Sequence, residues 1–237
     1  MALDRSDVRA ALLAALPVML GYIAIGIPCG AMAAEAGLSP VVAFVLSATF
    51  YSGAGQFMMA SLALAGTPAP LMALSVSLVS TRQLLYSAAL APYARRAPRW
   101  LAALFAATVT DESFGVNLAR FADPAGGWGV GRATAVNLAS MLSWALANAV
   151  GAAVGPALNV PTAIMSFGMT SIFVCLLVTQ RWTRVTVVVA AAAAAAVAAL
   201  KALGAGSLAV VLAAVVGVGA GLVAGAARRD ARGGEAS

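Results

Sequence analysis

The spacing of apolar runs constrains this chain more than any other feature. Eight stretches of about 20 residues are almost free of charge: roughly Leu12–Ala34, Val41–Ala65, Pro70–Pro92, Trp100–Phe121, Val130–Gly155, Thr162–Thr179, Val185–Leu203 and Ser207–Ala227. Short polar gaps join them. A helix needs about 20 apolar residues to cross the hydrocarbon core of a bilayer. The pattern therefore predicts an all-α, polytopic transmembrane bundle of about seven or eight hydrophobic segments. A transmembrane β-barrel would instead show alternating stretches of about ten residues. The first run is too long for a cleavable signal and leads straight into further spans. Only 9% of the residues are charged and 62% are hydrophobic, against about 25% charged in soluble domains. Residues 1–227 are expected to form a single transmembrane domain, with 228–237 as a disordered tail.

The net charge of +6 does not point to nucleic acid, because the bases are scattered along the chain. Arg5 and Arg9, then Arg95, Arg96 and Arg99, then Arg181 and Arg184, then Arg228, Arg229 and Arg232 sit beside or between the apolar runs. That is how basic residues flank membrane spans on the cytoplasmic side; a nucleic-acid face would gather them on one surface. The rule then meets a parity problem. Three segments separate the first two clusters and three more separate the second from the third, so three full crossings would change side each time. Agreement requires one segment in each triplet not to cross fully, and broken or re-entrant segments are expected. Three-plus-three full spans would give inverted halves of the transporter type, but no sequence repeat relates the two halves.

Two runs carry the breaks. The first contains Gly26, Pro28 and Gly30; proline removes a backbone donor from a helix, and these three are candidate hinge residues. The second reads FYSGAGQF at its midpoint, with Tyr51, Ser52, Gly53, Gly55 and Gln56. Membrane glycines commonly serve as packing notches. A helix broken at mid-membrane, however, frees backbone groups that must face protein or a water-filled cavity, and half-helix termini there bind ions and charged ligands. Segments seven and eight are nearly devoid of polar residues, and Lys201 near an end is expected to snorkel. Residues 12–121 are thus expected to carry the site and 130–227 to be mainly structural.

Three charges lie deep in the apolar runs: Arg82 in STRQLLY, and Asp111 and Glu112 in TDESF. Each costs about 2.5–3.5 kcal/mol at a helix centre. A bridge from Arg82 to one acid would pin two helices and leave the other acid over, since adjacent helical residues point about 100° apart. The remaining carboxylate can carry a proton or receive an ammonium group, while Arg82 can hold a carboxylate in bidentate fashion. Together they suit a zwitterion. Other chemistry is poorly supplied. The chain has no His, which removes imidazole catalysis and His-based metal sites. Cys29 and Cys175 have no metal spacing and read as packing residues. An aspartyl intramembrane enzyme needs two deep Asp and only Asp111 qualifies; a Ser–Lys type needs a deep Lys. No enzyme activity, cofactor or metal is expected.

At these residues the sequence resembles the AzlC family, the large subunit of branched-chain amino acid exporters. GLSP with FYSGAGQF (Gly37–Pro40, Phe50–Phe57), TRQLLYSAAL (Thr81–Leu90) and TDESF (Thr110–Phe114) carry the resemblance, which covers roughly Leu16 to Trp182. One departure is Gln83, where the family commonly has His after the Arg. The resemblance implies a bacterial inner-membrane secondary transporter, driven by the proton-motive force, that works with a separately encoded small AzlD-type membrane protein. The expected substrate is a branched-chain or other aliphatic amino acid. The expected site joins Tyr51, Gly53, Gly55 and Gln56 as a broken-helix cradle, Arg82 for the carboxylate, and Asp111 and Glu112 for the ammonium and the coupling proton. Gln83, Tyr86 and Thr110 orient these groups; Tyr22 is a weaker candidate, since a tyrosine in an apolar helix is more often a packing residue with one satisfied hydroxyl. A channel-like or scaffold subunit without its own transport cycle is the alternative.

Overall fold

The computed structural model describes residues 4–123, 127–158, 182–204 and 208–233, with isolated positions between 167 and 178. Every regular element among them is helical. The elements are α1 (Arg5–Glu35), α2 (Pro40–Thr49), α3 (Gly53–Leu64), α4 (Ala69–Ser80), α5 (Arg82–Ala94), α6 (Arg99–Ala107), α7 (Asp111–Ala122), α8 (Val130–Leu158), α9 (Arg184–Ala202) and α10 (Leu208–Gly233). The chain divides into two compact units, Met1–Ile172 and Phe173–Ser237. The expected sixth segment, Thr162–Thr179, lies outside the described residues apart from those isolated positions. In the second unit, α9 and α10 pack on each other. Helix α10 continues to Gly233, beyond the boundary expected at Ala227, through Ala226, Ala227, Arg228 and Arg229, which are good helix formers.

The first unit is built on α1 and α8, both long and apolar enough to cross a membrane. They run parallel. Asp7 meets Arg132, the Met19 carbonyl accepts from Ser143, Ile27 faces Gly151, and Ala31 faces Gly155. Small residues let the two backbones touch. A Cβ on Gly30 would overlap the Asn148 carbonyl, and one on Gly151 would overlap that of Ile27. This is the close approach that small residues permit between membrane helices. Helix α1 remains one helix through Pro17 and Pro28.

The second segment folds back on itself. Ser39 caps α2 and Pro40 opens it; the chain turns through Phe50–Ser52, and α3 returns. Ser47 on α2 donates to Gln56 on α3 (3.0 Å), and both helices line one cavity. Helix α4 then descends beside α3, from the turn at Gly66 (φ +68°) to the Ser52–Ser80 contact (3.4 Å). Thr81 has helical angles (φ −57°, ψ −26°), so α4 and α5 run on as one interrupted segment.

The fourth segment also folds back, from the other side. Ser87 on α5 donates to the Ala106 carbonyl of α6 (2.9 Å), across a short connection that makes the two antiparallel. Helix α7 then returns parallel to α5 on three rungs: Arg82–Asp111 at 2.8 Å, Tyr86 stacked on Phe114 at 4.8 Å, and Tyr93 on Phe121 at 4.5 Å. Asn137 of α8 sits in the notch between α6 and α7, donating to the Phe105 carbonyl and to Thr108 and accepting from Asn117 (2.9 Å).

The first unit therefore holds three segments that run its length (α1, α4–α5 and α8), of which α1 and α8 are each long and apolar enough to cross a membrane, and two hairpins, α2–α3 and α6–α7, that fold back from opposite ends. The expectation of broken and re-entrant segments holds. The parity problem disappears for the first two basic clusters: α1 and α4–α5 run the length of the unit, α2–α3 folds back, and Arg5 and Arg9 share an end with Arg95, Arg96 and Arg99. In a full-length chain lacking Cys29 and Cys175, Arg96→Cys and Arg5→Cys should label from the same face of the membrane and Thr67→Cys only from the other. Labelling of Thr67→Cys and Arg96→Cys from one face would rule out this topology.

Candidate functional site

The tips of the two hairpins meet at the middle of the first unit. Ser52 caps α3, accepting from the Gly55 N–H at 3.3 Å. Thr110 caps α7 in a reciprocal arrangement with Ser113, whose Oγ accepts from the Thr110 N–H at 2.9 Å. Both helix N-termini, and that of α5, border one cavity lined by Tyr22, Ile25, Ser52, Gly53, Ala54, Arg82, Gln83, Thr110, Asp111 and Glu112. The first turn of a helix carries free N–H groups and partial positive charge, which favours anions. Asp111 and Glu112 occupy that position on α7, so backbone and carboxylates complement each other.

The three deep charges are distributed as adjacent helical positions require. Asp111 takes Arg82 (2.8 Å), the two side chains being 11% and 27% exposed. Glu112, turned away from that pair, accepts from the Tyr22 hydroxyl at 2.6 Å, and the same hydroxyl shares a 2.8 Å hydrogen bond with Thr110. Two buried polar atoms lack a hydrogen-bond partner here: Asp111 Oδ1 and the Tyr51 hydroxyl. The cavity has a volume of about 30 Å³, close to one water's share of liquid and too little for an amino acid.

The predicted site residues divide. Gly53, Arg82, Gln83, Thr110, Asp111 and Glu112 line the cavity. Tyr51 lies beside it, buried, with its ring edge-on to Tyr22 at 6.1 Å and its carbonyl accepting from Gln83 Nε2 (2.9 Å). Gly55 serves the turn, where a Cβ would press on Ser52 Oγ and the Phe50 ring. Gln56 points away from the cavity: its Oε1 accepts from Trp144 Nε1 and Ser47, and its Nε2 donates to the Phe50 carbonyl. Tyr86 stacks on Phe114 one turn beyond the ion pair. Gly26 and Gly30 lie in the α1–α8 seam, with Pro28 between them.

Two residues outside the main expected set complete the arrangement. Tyr22, the weaker candidate, holds Glu112. Trp144 is fully buried, 5.3 Å from the Tyr22 ring and against Gly53. The only sequence signal for either was an aromatic with a polar tip in an apolar helix, which normally finds a buried partner.

The family model described as "AzlC protein" matches residues 17–158, a stretch that contains both hairpins and all three charges. The chain belongs to the AzlC family. It is 28% identical over 144 residues to the inner membrane protein YgaZ of Escherichia coli K12, covering 60% of this chain and 59% of YgaZ. It is also 28% identical over 165 residues to an uncharacterized membrane protein of Helicobacter pylori J99, covering 70% and 72%. The chain thus spans less than two thirds of YgaZ. No solved structure matches. This AzlC protein is accordingly a multi-pass membrane protein.

Asp111 and Arg82 are predicted to be coupled energetically. Asp111→Asn and Arg82→Gln should each lower the thermal stability of the detergent-solubilised protein, and the double variant should recover about 0.5–3 kcal/mol relative to the sum of the singles. Strict additivity would show that the ion pair contributes nothing to folding.

Proposed function

We propose that this AzlC protein is a secondary transporter that exports aliphatic amino acids across the bacterial inner membrane. The supporting observation is the charge arrangement: a guanidinium, two carboxylates and opposed helix N-termini around one cavity. A zwitterion presents one carboxylate and one ammonium. The carboxylate can exchange for Asp111 on Arg82, in bidentate fashion, and take the free N–H groups of the α3 tip. The ammonium can take a carboxylate, Asp111 or Glu112.

Coupling to protons follows from the same groups. A carboxylate released from its partner in a water-poor site gains proton affinity. The acid that holds the ammonium must be deprotonated, so substrate and H⁺ exclude each other there: the acid takes up H⁺ from outside after the substrate leaves and gives it up inside when the next substrate binds. Glu112 stays bonded to the Tyr22 hydroxyl beside the α7 N-terminus until substrate competes for it. Gln83, at the position where the family commonly has His, donates to the Tyr51 carbonyl and has no titrating proton, so the proton role rests on Asp111 and Glu112. Tyr86 and Thr110 keep their orienting roles. The Gly26–Gly30 seam, with Pro28 leaving one backbone acceptor free, is where α1 turns against α8 as the cavity opens. The resemblance further implies a small AzlD-type membrane partner.

In cells loaded with a valine-containing dipeptide, Asp111→Asn and Glu112→Gln should each reduce valine efflux at least tenfold at wild-type membrane abundance. Arg82→Lys should recover little over Arg82→Ala, because an ammonium cannot reproduce the guanidinium fork. Normal efflux from both acid variants would refute the proposed role.

A further inference from the structure

A second cavity, of about 170 Å³, opens within the angle of the α2–α3 hairpin. Its wall is apolar, with Cys29, Ala33, Leu46, Met59, Ala60 and Met72 prominent. It carries no charge. The polar side chains that reach it are already engaged: Ser47 donates to Gln56, Gln56 accepts from Trp144 and donates to Phe50, and Asn148 donates to the Trp144 carbonyl. The wall suits hydrocarbon and offers little to a carboxylate or ammonium. An apolar cavity of about 150 Å³ accommodates benzene, so this one takes a branched four-carbon group.

Its position relative to the charged cavity is regular. Tyr22 and Ile25 line the charged cavity on α1, and Cys29 and Ala33 line the apolar one; on α3, Gly53 and Ala54 line the first, and Gln56 and Ala60 the second. The two cavities therefore succeed each other along the same helices. Trp144 stands between them, touching Gly53 on one side and bonding Gln56 on the other (3.0 Å). The apolar cavity lies toward the C-terminal end of α1, away from Arg5, Arg9 and Arg95–Arg99, which places it in the external half of the membrane if the basic clusters are cytoplasmic.

We propose that this apolar cavity is a second station for the transported amino acid, which receives its aliphatic side chain on the outward side of a partition made by Trp144 and Gln56. The inference rests on the export reading and adds a size filter to it. The charged cavity grips the zwitterionic head, common to all amino acids; the apolar cavity selects the side chain. Met59 and Met72 line it with flexible side chains that adapt to differently branched substrates.

The test is efflux of leucine and alanine from cells carrying the full-length protein with its partner genes. Ala60→Met narrows the cavity, and leucine efflux should fall at least tenfold while alanine efflux stays within twofold. Met72→Ala widens it, and phenylalanine efflux should rise at least threefold relative to leucine. A wild type that exports both, with neither variant changing these ratios, would overturn the second station alone. A wild type that moves neither amino acid would overturn the export reading, and this inference with it.

Discussion

The Arg82–Asp111 ion pair at the level where two re-entrant hairpins meet is the interaction on which the rest of the first unit depends. Each of the three deep charges costs about 2.5–3.5 kcal/mol at a helix centre, and each broken helix leaves backbone groups without intrahelical partners. The fold places both difficulties together. The N-termini of α3 and α7 supply positive ends, Asp111 and Glu112 answer them, Arg82 balances one acid, and Tyr22 binds the other. Ser52 and Thr110 cap the half-helices. Neither the breaks nor the charges would be tolerated separately in lipid.

The surrounding helices hold these tips in place. The α1–α8 seam is tight enough that four glycines (Gly26, Gly30, Gly151 and Gly155) leave no room for a Cβ. Trp144 from α8 and Tyr22 from α1 reach from that seam to the α3 tip and the α7 tip respectively. The notch of the other hairpin is filled by a polar cluster, with Asn137 bonded to the end of α6 and to Asn117 of α7, and Trp128 donating to Asn117. Buried amides with several partners fix position where apolar contacts would permit sliding. The site thus sits between one apolar clamp and one polar clamp, which together hold the hairpin tips in place.

Much of this was legible in the sequence because lipid restricts the choices. The break at FYSGAGQF could be read from Ser52 and the two glycines at a depth where polar residues are expensive, and the re-entrant geometry followed from the parity of the Arg clusters. The interruption at Thr81 carried no such signature, since Thr81 is itself helical and only Arg82 marks the place. Tyr22 was ranked low and Trp144 passed over for one reason: their partners, Glu112 and Gln56, lie 90 and 88 residues away, and no local pattern encodes that distance. Gln56 was assigned to the charged cradle because it adjoins Gly55, but one helical turn carried it to the other side of Trp144. Gly26 and Gly30 show the same limit, since a glycine's role depends on the helix facing it.

The central claim is that the two hairpin tips face each other across one small charged cavity. The most direct measurement is site-directed cross-linking between the tips: a cysteine replacing Ala54 and another replacing Glu112, in a full-length chain lacking Cys29 and Cys175, treated with a short bifunctional thiol reagent in native membranes. The account predicts rapid intramolecular bridging. A pair that fails to bridge, while each single cysteine reacts with a small thiol reagent, would mean that the tips do not meet.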